Sequence, residues 1–194
     1  FLREKNIQLS LKVDDLLQSG LQNEYLNELL NFKEESIYNI RTAKVINLGS
    51  GPIFSSLTID LGSNDGIKKN LPIITTNGIV GKTILINEET SLVQTINDAN
   101  FRLSVKILPS EATGIMRFYD NDVFEIREIQ KNANIKIGDK VVTSGFSKIY
   151  PEGLNAGVVT EIIDNRGSFQ KVARSKNPYS ENNNLYVFVV QEQN

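Results

Sequence analysis

Between residues 39 and 43 the spacing of apolar side chains changes from helical to alternating, and this confines the chain to a helix followed by β-structure. Upstream, Leu2, Leu9, Val13 and Leu16 stand at steps of seven, four and three. Asn6 shares their line, while Arg3, Glu4, Lys5, Lys12, Asp14 and Asp15 fall mostly off it. Such spacing lays one apolar stripe along a helix, as in a coiled coil. The stripe slips at Gly20, a poor helix former, and resumes as Leu21, Tyr25, Leu29 and Phe32, which reads as a stutter. Regular helix is predicted to end near Asn39. The stripe has two possible destinations, a second copy of the chain or the helix's own domain. Self-association through Leu2, Leu9, Val13, Leu16 and Leu21 is the favoured reading, because a helix already periodic at residue 1 has little of its own domain to lie on.

From Ala43 the period is two. Phe101, Leu103, Val105 and Ile107 face one way and Arg102, Ser104 and Lys106 the other, as in a strand with one buried face. Further strands are predicted to end at Leu61, Ile86, Ile96, Ile129, Ile163, Ala173 and Val190. Turn clusters such as "GSNDG", "TNG", "NDAN", "YDND", "PEG" and "DNRG" separate them. Short strands at this spacing fit sandwiches or small closed barrels. "LPIITTNGIVGKTI" and "DKVVTSGFSKIYPEGLNAGVVTEI" also share an order of strand, Thr-containing turn and Gly-marked return strand, which favours two barrels. The expected fold class is mainly β, an N-terminal coiled-coil helix followed by two small β-barrels. The expected divisions are 1–39, 40–112 and 113–194, with a late strand free to pair back onto the first barrel.

Composition decides which chemistry this frame can carry. The 194 residues include no histidine and no cysteine, so a Ser-His-Asp triad, a thiolate nucleophile and a zinc-thiolate site are all excluded within the chain. Lys plus Arg total 21 against 23 Asp plus Glu, and the basic residues are scattered, which argues against a nucleic-acid surface. No cofactor or metal site is expected.

Individual motifs are equally spare. Thr143-Ser144-Gly145 resembles a nucleophile on a tight turn, but Val142 and Phe146 occupy the places where a nucleophile elbow needs glycine. A Ser-Lys pair with Lys140 or Lys148 stays open; a turn in which hydroxyls bond nearby backbone is the favoured reading. Asp120-Asn121-Asp122 lacks the glycine and distal glutamate of a calcium loop and reads as a hairpin turn. "GSGP" from Gly49 lacks the Lys-Ser or Lys-Thr of a phosphate loop. Phe146, Tyr150 and Phe169, aromatic residues near turns, are candidate partner contacts, since anchored aromatics often dominate interfaces. No apolar run is long enough to cross a bilayer. The opening "FLREKNIQLSLKVDDLL" is read as a cut through a longer protein whose upstream part holds an anchor.

The heptad helix, then "LTIDLGSNDGIKKNLPIITTNGIVGKTI", "SLVQTINDANFRLSVKI" and "GDKVVTSGFSKIYPEGLNAGVV", in that order, closely resemble the extracytoplasmic part of the rod shape-determining MreC family. The resemblance covers essentially the whole chain. Its most specific pieces are Asp60, Gly62 and Asp65-Gly66-Ile67; Gly78-Ile79-Val80-Gly81; and Gly138-Asp139 with Thr143-Ser144-Gly145, Pro151, Gly153, Gly157 and Val159.

The resemblance implies a single-pass membrane protein on the extracytoplasmic face of the bacterial inner membrane, in the periplasm of a Gram-negative cell. It implies a homodimeric, non-catalytic scaffold of the cell-elongation machinery, without cofactors. The implied partners are an elongation transpeptidase of the penicillin-binding class, MreD, a RodA-type polymerase and MreB. Two other classes compete. A periplasmic adaptor of an export pump also joins coiled coil to β-barrels, usually with a helical hairpin inside a lipoyl-like domain. A diverged serine hydrolase must work without histidine.

Overall fold

A computed structural model of the chain describes residues 2–50, 55–177 and 185–191. The heptad segment forms one helix, α1 (Leu2–Glu35). It stops at Glu35 rather than near Asn39, because Ser36 Oγ accepts the Tyr38 N–H at 3.1 Å and so offers the backbone a turn in place of another helical bond.

Two closed six-stranded barrels come after it. The first contains β1 (Ile40–Ser50), β2 (Ser55–Ile59), β3 (Pro72–Ile74), β4 (Ile79–Ile86), β5 (Ser91–Thr95) and β12 (Tyr186–Val190). The second contains β6 (Leu103–Leu108), β7 (Ala112–Asp120), β8 (Val123–Gln130), β9 (Lys140–Thr143), β10 (Asn155–Ile163) and β11 (Gln170–Lys176). Two of these strands are not predicted from sequence. In β1 a bulge between Val45 and Asn47 breaks the alternation and leaves Ile46 and Leu48 exposed. β7 opens on Ala112 and carries Gly114, residue types depleted in strands.

The division between barrels also differs from the expected boundary after residue 112. β6 pairs with β7 on one side and β9 on the other, so Leu103, Val105 and Ile107 are core of the second barrel. The change falls between Thr95 and Leu103. The first barrel is discontinuous in sequence: β12 lies between β1 and β3, registering Ile40 with Val190 and Ile74 with Phe188.

Starting at β12, the first ring runs β12-β1-β2-β5-β4-β3; starting at β6, the second runs β6-β7-β8-β11-β10-β9. The two orders match, and the register matches with them. Ile73 faces Gly81 as Val141 faces Gly157, and a bulge adjoins both pairs. Thr83 faces Val93 as Val159 faces Ser175, again with a bulge next along. At the entry to the unit, Asn70 N–H donates to Thr83 O (2.9 Å) and Gly138 N–H to Val159 O (2.8 Å), both from residues of positive φ. Gly81 and Gly157 carry the same burden. A Cβ would stand 2.0 Å from Gln94 O at the first and 2.4 Å from Lys176 O at the second, so only glycine lets the neighbouring strand approach.

The barrels touch at one of these units. Asn155 Nδ2 donates to Asn77 O at 2.6 Å, and a Cβ on Gly78 would fall 2.6 Å from Asn155 O.

Candidate interaction surfaces

The seam of α1 is exposed. Leu9 is 54%, Val13 52%, Leu16 64% and Leu21 67% exposed, and Ile7, Leu11 and Leu17 are exposed beside them. The side chain of Leu2 lies outside the described residues. Farther along, Leu29 is buried and Tyr25 and Phe32 are half-buried, while Leu21, Leu26 and Leu30 stay exposed. A contiguous row of exposed leucines is more apolar surface than a monomeric protein usually leaves in water.

The motif residues of the barrels are occupied by their own backbone. Asp60 Oδ1 accepts the Lys44 N–H at 2.7 Å. Asp65 Oδ2 accepts the Gly62 N–H at 3.1 Å while its other oxygen holds Arg41 at 2.8 Å, which closes the Ser63–Asp65 turn onto β1. Gly66 ends that turn in the left-handed region. Asp139 Oδ2 accepts the Lys136 N–H at 2.8 Å, ahead of Gly138's bond to β10. Thr143 Oγ1 donates to Pro151 O (2.5 Å) and accepts the Leu154 N–H (2.9 Å), and Gly153 N–H donates to Thr143 O (3.0 Å). Thr143 thus fastens the "PEG" corner to β9, with Gly145 and Gly153 turning the chain on either side.

Ser144 is buried. Its Oγ donates to Ser104 Oγ at 2.8 Å and accepts the Phe146 N–H at 3.3 Å. Among the described residues neither Lys140 nor Lys148 is bonded to it, and no group of three Asp or Glu side chains is placed to hold a metal ion. Asn121, with φ of 47°, makes the β7–β8 hairpin turn.

The three aromatic candidates divide. Phe146 and Phe169 stand 76% and 93% exposed. Tyr150 does not reach the surface: it is 4% exposed and packs edge-on against Phe101, ring centroids 6.3 Å apart, so it is core rather than contact. Burial pushes its phenol well above the usual tyrosine range.

One exposed cluster has no counterpart among the sequence-predicted sites. Arg174 lies over the Tyr119 ring, 4.5 Å from its centroid, and donates to Glu161 Oε2 at 2.8 Å across β10 and β11. The strand predicted from sequence stops at Ala173, one residue short of the arginine, which hides the cross-strand pair.

Comparison with known proteins agrees with this architecture. Residues 45–191 match the family model described as rod shape-determining protein MreC, barrel core. The cell shape-determining protein MreC of Escherichia coli K12 is 30% identical over 159 residues, 80% of this chain and 43% of the relative. That of Listeria monocytogenes is 29% identical over 176 residues, 88% of this chain and 59% of the relative. The chain therefore spans about half the length of these curated relatives. A solved MreC structure superposes with TM-score 0.81 at 26% identity, covering 89% of this chain and 98% of the other. A solved complex between penicillin-binding protein (PBP2) and MreC from Helicobacter pylori contains a chain of the same fold, TM-score 0.64 at 21% identity, covering 79% and 98%. By the match over both barrels, the chain belongs to the family of the rod shape-determining protein MreC.

Proposed function

We propose that this chain is the extracytoplasmic part of a non-catalytic scaffold in the bacterial rod-shape machinery. The observation that carries the reading is where each kind of residue goes. The family's motif residues bond to backbone or core, while about half of the exposed large apolar side chains lie on α1 and the two most exposed within the barrels, Phe146 and Phe169, stand on loops. A scaffold needs several rigid surfaces held together, and pairing two copies through Leu2, Leu9, Val13, Leu16 and Leu21 raises the effective concentration of whatever the barrels bind.

In this reading the barrels engage an elongation transpeptidase of the penicillin-binding class, the kind of partner in the Helicobacter complex. MreD, a RodA-type polymerase and MreB complete the assembly. The protein stands on the outer face of the inner membrane, anchored by a single upstream helix. Among the described residues no helix is long and apolar enough to cross a membrane.

Replacing Leu9 and Leu16 by glutamate tests the seam. Sedimentation should show a dimer falling to monomer mass, and cells carrying only the altered full-length protein should lose rod shape. An unchanged mass removes the seam from the scheme. Labelling by a serine-directed activity probe that vanishes in Ser144→Ala would restore the hydrolase reading.

A further inference from the structure

One end of the second barrel holds a polar groove of about 640 Å³ between the β6–β7 turn and the β8–β9 connection. Its walls are fixed before any ligand arrives. On one side the Ala133 N–H closes a turn onto Gln130 O (3.0 Å), the Ala133 carbonyl accepts Lys171 Nζ (2.9 Å), and Lys131 is clamped by Asp164 and by Asn165 O (2.8 Å). Ile135 anchors the same segment in the core. On the other side Ser110 Oγ donates to Ile107 O (3.1 Å), and Glu111 turns the hairpin with φ of 56°.

The groups that point into this frame are unspent. Among the described residues the side chains of Thr113, Gln130, Asn132 and Asn134 have no intramolecular hydrogen-bond partner, and the Lys136 ammonium has neither ion pair nor hydrogen bond. A primary amide presents a donor and an acceptor together, which is the pattern a peptide main chain repeats. The lining excludes other occupants. It is too polar for a drug-like apolar molecule, it holds both Lys136 and Glu111 and so suits no polyanion, and it contains no aromatic ring for a sugar to stack on. Phe169 stands one residue beyond the Gln170–Gln130 pair, beside the 130–134 wall, as an exposed apolar anchor.

We infer that this groove is a docking site for an extended polypeptide segment, held through its main chain by Gln130, Asn132 and Asn134 and anchored by an apolar side chain at Phe169. Preorganised walls lower the ordering cost of such binding. None of its residues belongs to the α1 seam, so, on the scaffold reading proposed above, it adds a third valency.

The probe is a set of linear peptides selected from a random phage-displayed library on the two-barrel chain, then synthesised with a fluorescent label. Binding should weaken roughly fivefold to tenfold in Asn132→Ala/Asn134→Ala, two hydrogen bonds being removed. Phe169→Ser should weaken it as well, and Glu89→Ala on the first barrel should leave it unchanged. These positions lie at the surface, so melting temperatures stay within a degree or so of wild type. Amide chemical-shift changes should be confined to residues 109–113, 130–139 and the neighbourhood of Phe169. Equal binding by the double variant, shifts centred elsewhere, or failure to select any peptide overturns the inference. Displacement of the peptides by a soluble chitooligosaccharide overturns it too, in favour of a glycan site.

Discussion

The correspondence between the barrels makes a quantitative claim about three glycines. Gly157 combines two demands, a φ of +134° and a neighbouring carbonyl 2.4 Å from where a Cβ would sit. Gly81 has the crowding alone, at 2.0 Å, and Gly153 the backbone demand alone, at φ +92° with nothing within 4 Å. Forcing a methyl against a packed strand costs about 1–3 kcal/mol, and holding a side chain in such backbone regions costs about 1–3 kcal/mol. Gly157→Ala should therefore lose about 2–6 kcal/mol, Gly81→Ala about 1–3 and Gly153→Ala about 1–3. For a chain of this size each kcal/mol lowers the midpoint by about 2–4 °C, so Gly157→Ala should melt roughly 5–20 °C early and the other two by about half as much. Thermal unfolding of the three variants by circular dichroism reads this directly. If Gly157→Ala loses no more than the worse of the other two, the crowding and the backbone strain are not separate costs and the assigned role of the unit fails.

Three further outcomes rest on particular contacts. Tyr150 buries a hydroxyl that has no hydrogen-bond partner among the described residues, so Tyr150→Phe should be neutral or gain up to about 1 kcal/mol in a denaturant titration. Its raised pKa means the folded chain keeps the proton where the unfolded chain loses it. The group therefore leaves stability unchanged below about pH 10 and lowers it as pH rises beyond that, and ultraviolet titration should show no tyrosinate from Tyr150 before unfolding. Asn155→Asp keeps the Oδ1 that accepts the Gly157 N–H at 3.1 Å but sets a carboxylate oxygen against Asn77 O, so it should destabilise by about 1–3 kcal/mol, more than Asn155→Ala. Ending the chain after Leu185 removes Val187, Phe188, Val189 and Val190, all buried, worth roughly 6–12 kcal/mol at about 1.5–3 each. Amide exchange in β1 and β3 should then rise to unprotected rates while β6–β11 remain protected; protection unchanged in β1 would refute the role of β12 as a closing strand.

What is legible in the sequence is what local periodicity encodes. The heptad steps predict α1, and the alternation of Phe101 to Ile107 marks the β6 segment, because one face of each must be buried. The weak echo between "LPIITTNG" and "DKVVTSG" aligns Ile73 with Val141, which registration pairs equivalently, and Thr75 with Thr143, whose N–H groups donate to Gly78 O and Leu154 O. What stays hidden depends on pairing across long separations. Nothing near Leu103 says whether that strand joins its upstream or its downstream neighbours, so the boundary expected from sequence falls one strand late. Tyr150 adjoins a turn and so reads as a surface anchor; Phe101, 49 positions upstream, covers it. The groove is hidden for a different reason: its walls are about 20 residues apart and are brought together by the β7–β8 hairpin, but nothing in the periodicity says which polar side chains border the gap.

The permuted order explains why the two barrels are not interchangeable. In ring terms β12 fills in the first barrel the place that β6 fills in the second, so the first barrel takes its opening strand from the far end of the chain. Gln191 N–H donates to Asn39 O at 2.8 Å, which brings that end beside the start of β1. The second barrel is therefore an insertion, contiguous from Leu103 to Lys176, and its six strands can pair as soon as they are made. The first cannot close until the final strand arrives, and until then β1 and β3 are edges with unpaired backbone groups. The first barrel thus holds both the strand that follows α1 and the last-forming contacts. The other, complete in itself, carries Phe146, Phe169 and the polar groove, and substitution of those surface residues leaves the closing ladder of β1, β12 and β3 untouched.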